Sequence, residues 1–263
     1  MTKHVTLPPI RKLILPDPGY MLFDCDQSGA DAQVVAWEAQ DKSLMEAFKA
    51  GLDIHNFNGE TIFGSTYKPD LVRRKLTWRD EMKRGVHGTN YLSGVPGLAT
   101  ALGWRTSEVL VFQQMWWHSH PGIKEWHRRV EFDIQKSRKV TNSFGYHIVY
   151  FDRPSNILPK AVAWIPQSTV ANITEKAAIQ LNKHLPWCEV MFQVHDSVVF
   201  QIPYHRVTIS NMLKVKSCLE VPAPYKPEPL VIPWGLKNSK TSWGDLGPKL
   251  DWNTLEPKRK LLV

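Results

Sequence analysis

At 263 residues the chain is long enough to bury a substantial core, and 43% hydrophobic with 22% charged residues excludes a disordered or collagen-like polymer. An excess of 33 Lys and Arg over 25 Asp and Glu gives a net charge of +8, which is compatible with a polyanionic partner without requiring one. No window approaches the roughly 18 apolar residues of a membrane span, the N-terminus lacks an apolar signal core, and Cys25, Cys188 and Cys218 lack zinc or disulfide spacing, so a reducing, cytoplasmic setting is expected.

In chain order, proline-stiffened turns over residues 7–20 lead into an apolar strand at 20–25. From Ala30 to Ala50 the residues Ala32, Val35, Ala36, Ala39, Leu44 and Phe48 recur near helical spacing, predicting one helix closed by Gly51. Residues 77–102 read as helix on both sides of Leu92-Ser93-Gly94-Val95-Pro96-Gly97. Residues 107–139 read as a long amphipathic helix broken at His120-Pro121-Gly122. Residues 140–154 are β-rich with a turn at Phe144-Gly145, and a further helix is expected over about 166–184, starting at a proline tolerated in a first turn. The run 189–203 predicts two strands joined by a tight His195-Asp196-Ser197 turn. Beyond Pro222 a proline-rich stretch leads to a last strand and a polar, loose tail. This order predicts an α+β fold: a sheet of non-contiguous strands carrying a helical insertion at about residues 52–140.

Two places carry candidate chemistry for one reason: an aspartate sits where an apolar strand ends, at Asp24/Asp26 and again at Asp196. Either alone is explained as well by a turn or helix cap. Two of them, on strands that can lie side by side, suit a shared Mg²⁺, which takes a couple of carboxylates and completes its shell with water and phosphate oxygens. A third constellation is Arg79, Lys83, His87 and Tyr91. Steps of four advance about 40° on a helix, so all four fit a stripe roughly 120° wide. A solvated surface helix would also look basic, but Trp78, Val86, Gly85 and Gly88 are unusual choices for one. Cations followed by an aromatic suit a triphosphate and then a base.

These residues also carry a resemblance. The stretch 26–64, "DQSGADAQVVAWEAQDKSLMEAFKAGLDIHNFNGETIFG", resembles motif A of family A DNA polymerases, the bacterial polymerase I type, here of phage kind. "RDEMKRGVHGTNY" (79–91) resembles their fingers motif B, and "QVHDSVVFQIP" (193–203) their motif C hairpin. "HPGIKEWHRRV" (120–130) and "IPQSTVANITEKA" (165–177) fall between them in the family's order. The resemblance implies a palm with an antiparallel sheet and a large helical fingers insertion. Residues 1–51 would be the first part of the palm, 52–140 the fingers, 141–246 the second part of the palm, and 247–263 a C-terminal tail.

The resemblance further implies that Asp26 and Asp196 bind two Mg²⁺ ions, with Mn²⁺ able to substitute, and that Lys83 is catalytic. Arg79, Lys83, His87, Tyr91, Asp31 and His55 would contact the nucleotide, Asp31 standing where a family glutamate crowds the sugar 2′ position. Gln167, His195 and Ser28 would contact DNA, and Asp24 would lie in the supporting strand. The function implied is template-directed addition of dNTPs to a primer 3′-OH by two-metal nucleotidyl transfer. In the resemblance His87 stands in place of a Phe or Tyr, Ser197 in place of the motif C glutamate, and Pro159 and Ala163 in place of an arginine and an asparagine. Single-subunit RNA polymerases also use a His-Asp-Ser turn, though Asp31 points to DNA. The chain begins about 25 residues ahead of Asp26, so thumb and exonuclease domains are expected to be absent, with a separate polypeptide supplying the thumb and N-terminal palm. The rival reading is a DNA-binding remnant without catalysis.

Overall fold

The structure, a computed structural model, describes residues 9–258. A short 3-10 turn, Ile10–Leu13, precedes β1 (Tyr20–Gln27), α1 (Ala30–Ala39), α2 (Lys42–Lys49), α3 (Ile54–Phe63), β2 (Val72–Arg73), β3 (Leu76–Thr77) and α4 (Trp78–Asn90). Then come α5 (Val95–Leu102), α6 (Thr106–Ser119), α7 (Pro121–Ser137), β4 (Lys139–Thr141), β5 (His147–Val149) and α8 (Pro154–His184). The chain closes with β6 (Glu189–Val194), β7 (Ser197–Pro203), α9 (Ile209–Leu219) and β8 (Trp234–Ser239). It divides into two compact units, one holding the chain up to Ser28 with Val170–Ala223 and the part from Val231 on, the other holding Gly29–Thr169 with Pro224–Leu230. The predicted α+β class holds. Among the described residues no helix is long and apolar enough to cross a membrane, and the three cysteines are free thiols.

The first unit is built on an antiparallel sheet in the order β6-β7-β1-β8. β1 and β7 are its interior strands, and β1 carries apolar side chains on both faces. Phe23 stacks on Phe200 at 5.5 Å on one face, while Leu22 joins Val199 and Trp243 on the other. Gln27, on the Phe23 face, donates to Thr174 Oγ1 at 2.7 Å, which ties the strand's end to the C-terminal half of α8. The side chains of Leu22, Asp24 and Asp26 alternate onto the opposite face, so the apolar strand turns acidic only on that side. β6 and β7 form the predicted hairpin, with Ser197 already in the strand and only His195 and Asp196 in the loop. Residues 247–258 of the expected loose tail are instead packed, and 259–263 lie outside the described residues. Leu250 and Trp252 are buried, the Leu250 N–H donates to Leu236 O at 2.8 Å, and Trp252 Nε1 donates to Trp234 O at 2.9 Å. Two large apolar side chains in an otherwise polar segment are enough to hold it down.

The second unit is helical. The single helix expected over 30–50 is two helices, because Gln40 takes a left-handed conformation (φ 52°) and Asp41 starts a new helix by accepting the Leu44 N–H at 3.0 Å. The other oxygen of Asp41 meets buried His120 Nδ1 at 3.0 Å, a partner at the start of α7. α4, α6 and α7 fall where periodicity places them, with a break at His120, whereas α5 starts at Val95, inside the expected 92–97 interruption, because Pro96 is tolerated in its first turn. In α7 the buried Ile123, Trp126, Val130 and Ile134 make the apolar stripe. The hairpin β2–β3 has no sequence signal, since its two loop residues Arg74 and Lys75 both take positive φ (47° and 83°) without being Gly, Asn or Asp. Helix α8 begins at Pro154, not near residue 166, and runs through both Pro159 and Pro166. Burial of Ile157, Ala161, Val162 and Ile165 offsets the roughly 3 kcal/mol that an interior proline costs a helix.

Candidate active site

The acidic face of β1 puts Asp24 and Asp26 beside β7 and β8. In register, Asp26 lies opposite Ser197 on one side and Gly235 on the other. The Gln27 N–H donates to Asp196 O at 3.0 Å, so the chain carrying Asp26 and the loop carrying Asp196 are joined at adjacent residues. Among the described residues no side chain donates to the Asp196 carboxylate. His195, exposed at the same turn, takes φ 52°, a left-handed conformation that disfavours residues with a Cβ. Two-residue hairpin loops demand such a residue, and glycine usually supplies it.

Asp24 and Asp26 differ sharply although two residues apart. Asp24 is buried, and both its oxygens are engaged: Oδ1 accepts a short bond from Ser197 Oγ, and Oδ2 accepts from Trp243 Nε1 at 2.7 Å. Donors from β7 and from the segment after β8 thus hold this carboxylate from two sides. Asp26 is more open, with 30% of its side chain exposed. Its Oδ2 lies 3.0 Å from Lys249 Nζ and its Oδ1 3.9 Å from Lys237 Nζ. Oδ1 is buried and makes no hydrogen bond. An orphaned carboxylate oxygen costs free energy unless something fills it, and a divalent cation would. Among the described residues no cluster of three or more acidic, His or Cys side chains could hold a metal. The carboxylates at these two strand ends, Asp26 and Asp196, are a pair of the kind that would suit Mg²⁺ keeping water and phosphate oxygens in its shell.

Ser28 donates its backbone N–H to Pro233 O at 2.8 Å, anchoring the end of β1. Lys237 and Lys249 escape sequence reasoning. Lys249 lies in the tail, and only the buried aromatic Trp252 nearby hints that the segment folds back.

In the helical unit, α4 shows the expected stripe. Thr77 caps it by accepting the Asp80 N–H at 3.1 Å, and Trp78, Met82 and Val86 are buried, which turns Lys83 and His87 outward. The glycines have a packing reason: a Cβ on Gly88 would lie 2.8 Å from Leu98 Cδ1, and one on Gly85 would lie 3.1 Å from the Phe112 ring. Arg79 donates through Nε and Nη2 to Asp53 Oδ2, at 2.9 and 2.6 Å, while Asp53 Oδ1 caps α3 through the His55 and Asn56 N–H groups. Burial raises the Asp53 pKa, but the Arg79 hydrogen bond and then the Asn56 N–H outweigh it and leave the carboxyl below its usual value. His55 is held down to about 4, first by burial and then by the charge of Arg79, against the pull of Asp53, so it is neutral at neutral pH. Asp53 also escapes sequence reasoning as a member of this cluster, because its cap position alone accounts for it.

At the C-terminal end of α4, His87 and Tyr91 meet edge to face at 4.5 Å. Burial first, and then the nearby Asp31 carboxylate, raise the Tyr91 hydroxyl pKa, so the structure brings Asp31 and Tyr91 together as neighbours. The helix end is clamped through Asn90, whose side-chain oxygen accepts Trp116 Nε1 and whose backbone carbonyl accepts His127 Nε2, both at 2.8 Å. Gln167 is exposed on α8.

Residues 3–226 match the model of DNA polymerase family A. The DNA polymerase I of Helicobacter pylori is 28% identical over 192 residues, covering 70% of this chain and 21% of that protein. The DNA polymerase of a Mycobacterium phage is 23% identical over 237 residues, 90% of this chain and 37% of that one. The thermostable DNA polymerase I of Thermus filiformis is 26% identical over 220 residues, 80% and 26% respectively. The fold is similar to the POL domain of Pol1 from M. smegmatis, solved in complex with DNA primer-template and dNTP, with a TM-score of 0.76 at 21% identity over 90% of this chain and 42% of that one. The chain thus spans about a fifth to two-fifths of the length of these relatives. A family model matched over most of the sequence, on a sheet that sets two aspartates at adjacent strand ends, places this chain in DNA polymerase family A.

Proposed function

We propose that the chain is the catalytic part of a DNA-directed DNA polymerase, adding dNTPs to a primer 3′-OH under the direction of a template. The observation that carries this is Asp26, a buried-strand carboxylate with one oxygen left without a hydrogen bond, joined through backbone to the loop of Asp196. Those two residues would hold Mg²⁺, which when bound supplies a lowered pKa at the primer hydroxyl and charge neutralisation on the leaving pyrophosphate. Arg79 and Lys83 would grip the triphosphate, and Lys83, which is exposed, would neutralise charge on the leaving group. His87 and Tyr91 offer flat surfaces to sugar and base. Asp31, beside Tyr91, would crowd the 2′ position of the sugar and favour deoxynucleotides. His195, Gln167 and Ser28 would contact primer-template, whose sequence is read by base pairing, and the basic surface would hold its phosphates. Three free thiols accord with a cytoplasmic setting.

The test is primer extension with dNTPs and Mg²⁺. Asp26→Ala and Asp196→Ala should each lower incorporation by at least about a thousandfold, with circular dichroism unchanged. Primer-template binding without incorporation under any condition, and indifferent to both substitutions, would identify a DNA-binding remnant instead. Preferential use of rNTPs would identify an RNA polymerase. Running the assay with and without a separate polypeptide carrying thumb and N-terminal palm decides whether the active enzyme is split.

A further inference from the structure

The segment after β8 returns along that strand and is fixed before Lys249 by the Gly247 N–H, which donates to Asn238 O at 2.9 Å, and again at the 249–250 peptide. The Leu250 N–H donates to Leu236 O and the Lys258 N–H donates to Lys249 O, both at 2.8 Å, while Leu250 and Trp252 are each 5% exposed. From this anchored position Lys249 Nζ reaches Asp26 Oδ2 at 3.0 Å. It does so by passing over Gly235, the partner of Asp26 on β8. A Cβ there would stand 2.9 Å from Lys249 Nζ and 2.8 Å from Asp26 Oδ1. Lys237, on β8 itself, lies 3.9 Å from Asp26 Oδ1. Lys249 lies beyond residues 3–226, the span matched by the family model.

We propose that Lys249 is a tethered counter-ion for Asp26, which a divalent cation must displace in order to bind, so that the packed tail sets the metal affinity of the site. This rests on the reading of Asp26 as a metal ligand. An ammonium on Oδ2 and a divalent ion on Oδ1 of the same carboxylate stand close enough to repel strongly, and among the described residues no cluster of three or more acidic, His or Cys side chains offers further ligands. With Lys249 removed, Asp26 loses the nearer of its two cations and keeps an oxygen without a hydrogen bond, Lys237 remaining 3.9 Å from it. The anchored backbone lets the lysine side chain, 45% exposed, swing into solvent without unfolding the tail.

The experiment is Mn²⁺ titration of the full chain, followed by the electron paramagnetic resonance of the free ion, on the wild type and on Lys249→Gln, Lys249→Arg and Asp26→Ala. Removing a half-exposed ion pair should tighten Mn²⁺ binding in Lys249→Gln by about fivefold, while Lys249→Arg stays near wild type and Asp26→Ala loses the site. The gap between wild type and Lys249→Gln should narrow at high salt. Equal or weaker binding in Lys249→Gln, with Asp26→Ala still losing the site, overturns the counter-ion role and leaves the metal site standing. No binding in any variant, or binding indifferent to Asp26→Ala, overturns both.

Discussion

Asp24 is the sharpest test of how the acidic strand works, because it differs from Asp26 by environment alone. Its carboxylate takes the Ser197 hydroxyl on one oxygen and Trp243 Nε1 on the other at 2.7 Å, and only 7% of the residue is exposed. In Asp24→Asn the amide oxygen can face the indole N–H, which only donates, and the amide N–H can donate to Ser197 Oγ, which can accept. Both hydrogen bonds survive without charge assistance, so the loss should be about 1 kcal/mol. Asp24→Val fits a strand but leaves the indole N–H and the hydroxyl without a partner. Relief of the buried charge offsets part of that, giving a loss of about 3 kcal/mol. In urea denaturation followed by circular dichroism, the double mutant Asp24→Val/Trp243→Phe should be less destabilised than the sum of its singles by about 1 kcal/mol or more. Mn²⁺ binding should persist in Asp24→Asn. Equal losses in Asn and Val, or an additive cycle, would falsify the bracing role, and loss of Mn²⁺ binding in Asp24→Asn would make Asp24 a ligand.

Other consequences follow from single features. His195→Gly relieves a left-handed residue and should leave stability unchanged or raise it by about 0.5 kcal/mol; a loss above 1 kcal/mol in the same urea assay would show that the imidazole holds the turn. His127, buried with Nε2 on the Asn90 carbonyl, has its pKa lowered by burial to about 4. Its contribution is therefore fully present above its unfolded value of about 6.5 and is lost as pH falls from there toward 4, on the order of 3 kcal/mol in all. His127→Gln should flatten the stability profile across that window, and an unchanged slope would refute the assignment. Asp31→Ala should raise rNTP relative to dNTP incorporation by about tenfold, measured by competing the two substrates in primer extension.

Local chemistry makes much of this protein legible in its sequence alone. The apolar run over Tyr20–Gln27, the two strands flanking His195-Asp196, the stripe Arg79-Lys83-His87-Tyr91 and the breaks at residues 92–94 and at His120 are written in periodicity and turn residues, which act within a few positions along the chain. The residue types of the site are legible too, because strand-end aspartates and helix-face cations are patterns of short range. Four features are not. Gln40 breaks a helix that its sequence would continue, where Asp41 is held by His120, 79 positions away. The second proline of α8 sits inside a helix whose buried face overrides it. The resemblance alone separates Asp24 from Asp26, and the physical reason, Trp243 donating to Asp24 from 219 positions away, is absent from the local pattern. Lys249 meets Asp26 across 223 positions. Sequence by itself determined most of the elements, the family and the candidate ligands; only tertiary structure decided which carboxylate is held by donors and which stays open, because those donors arrive from distant parts of the chain.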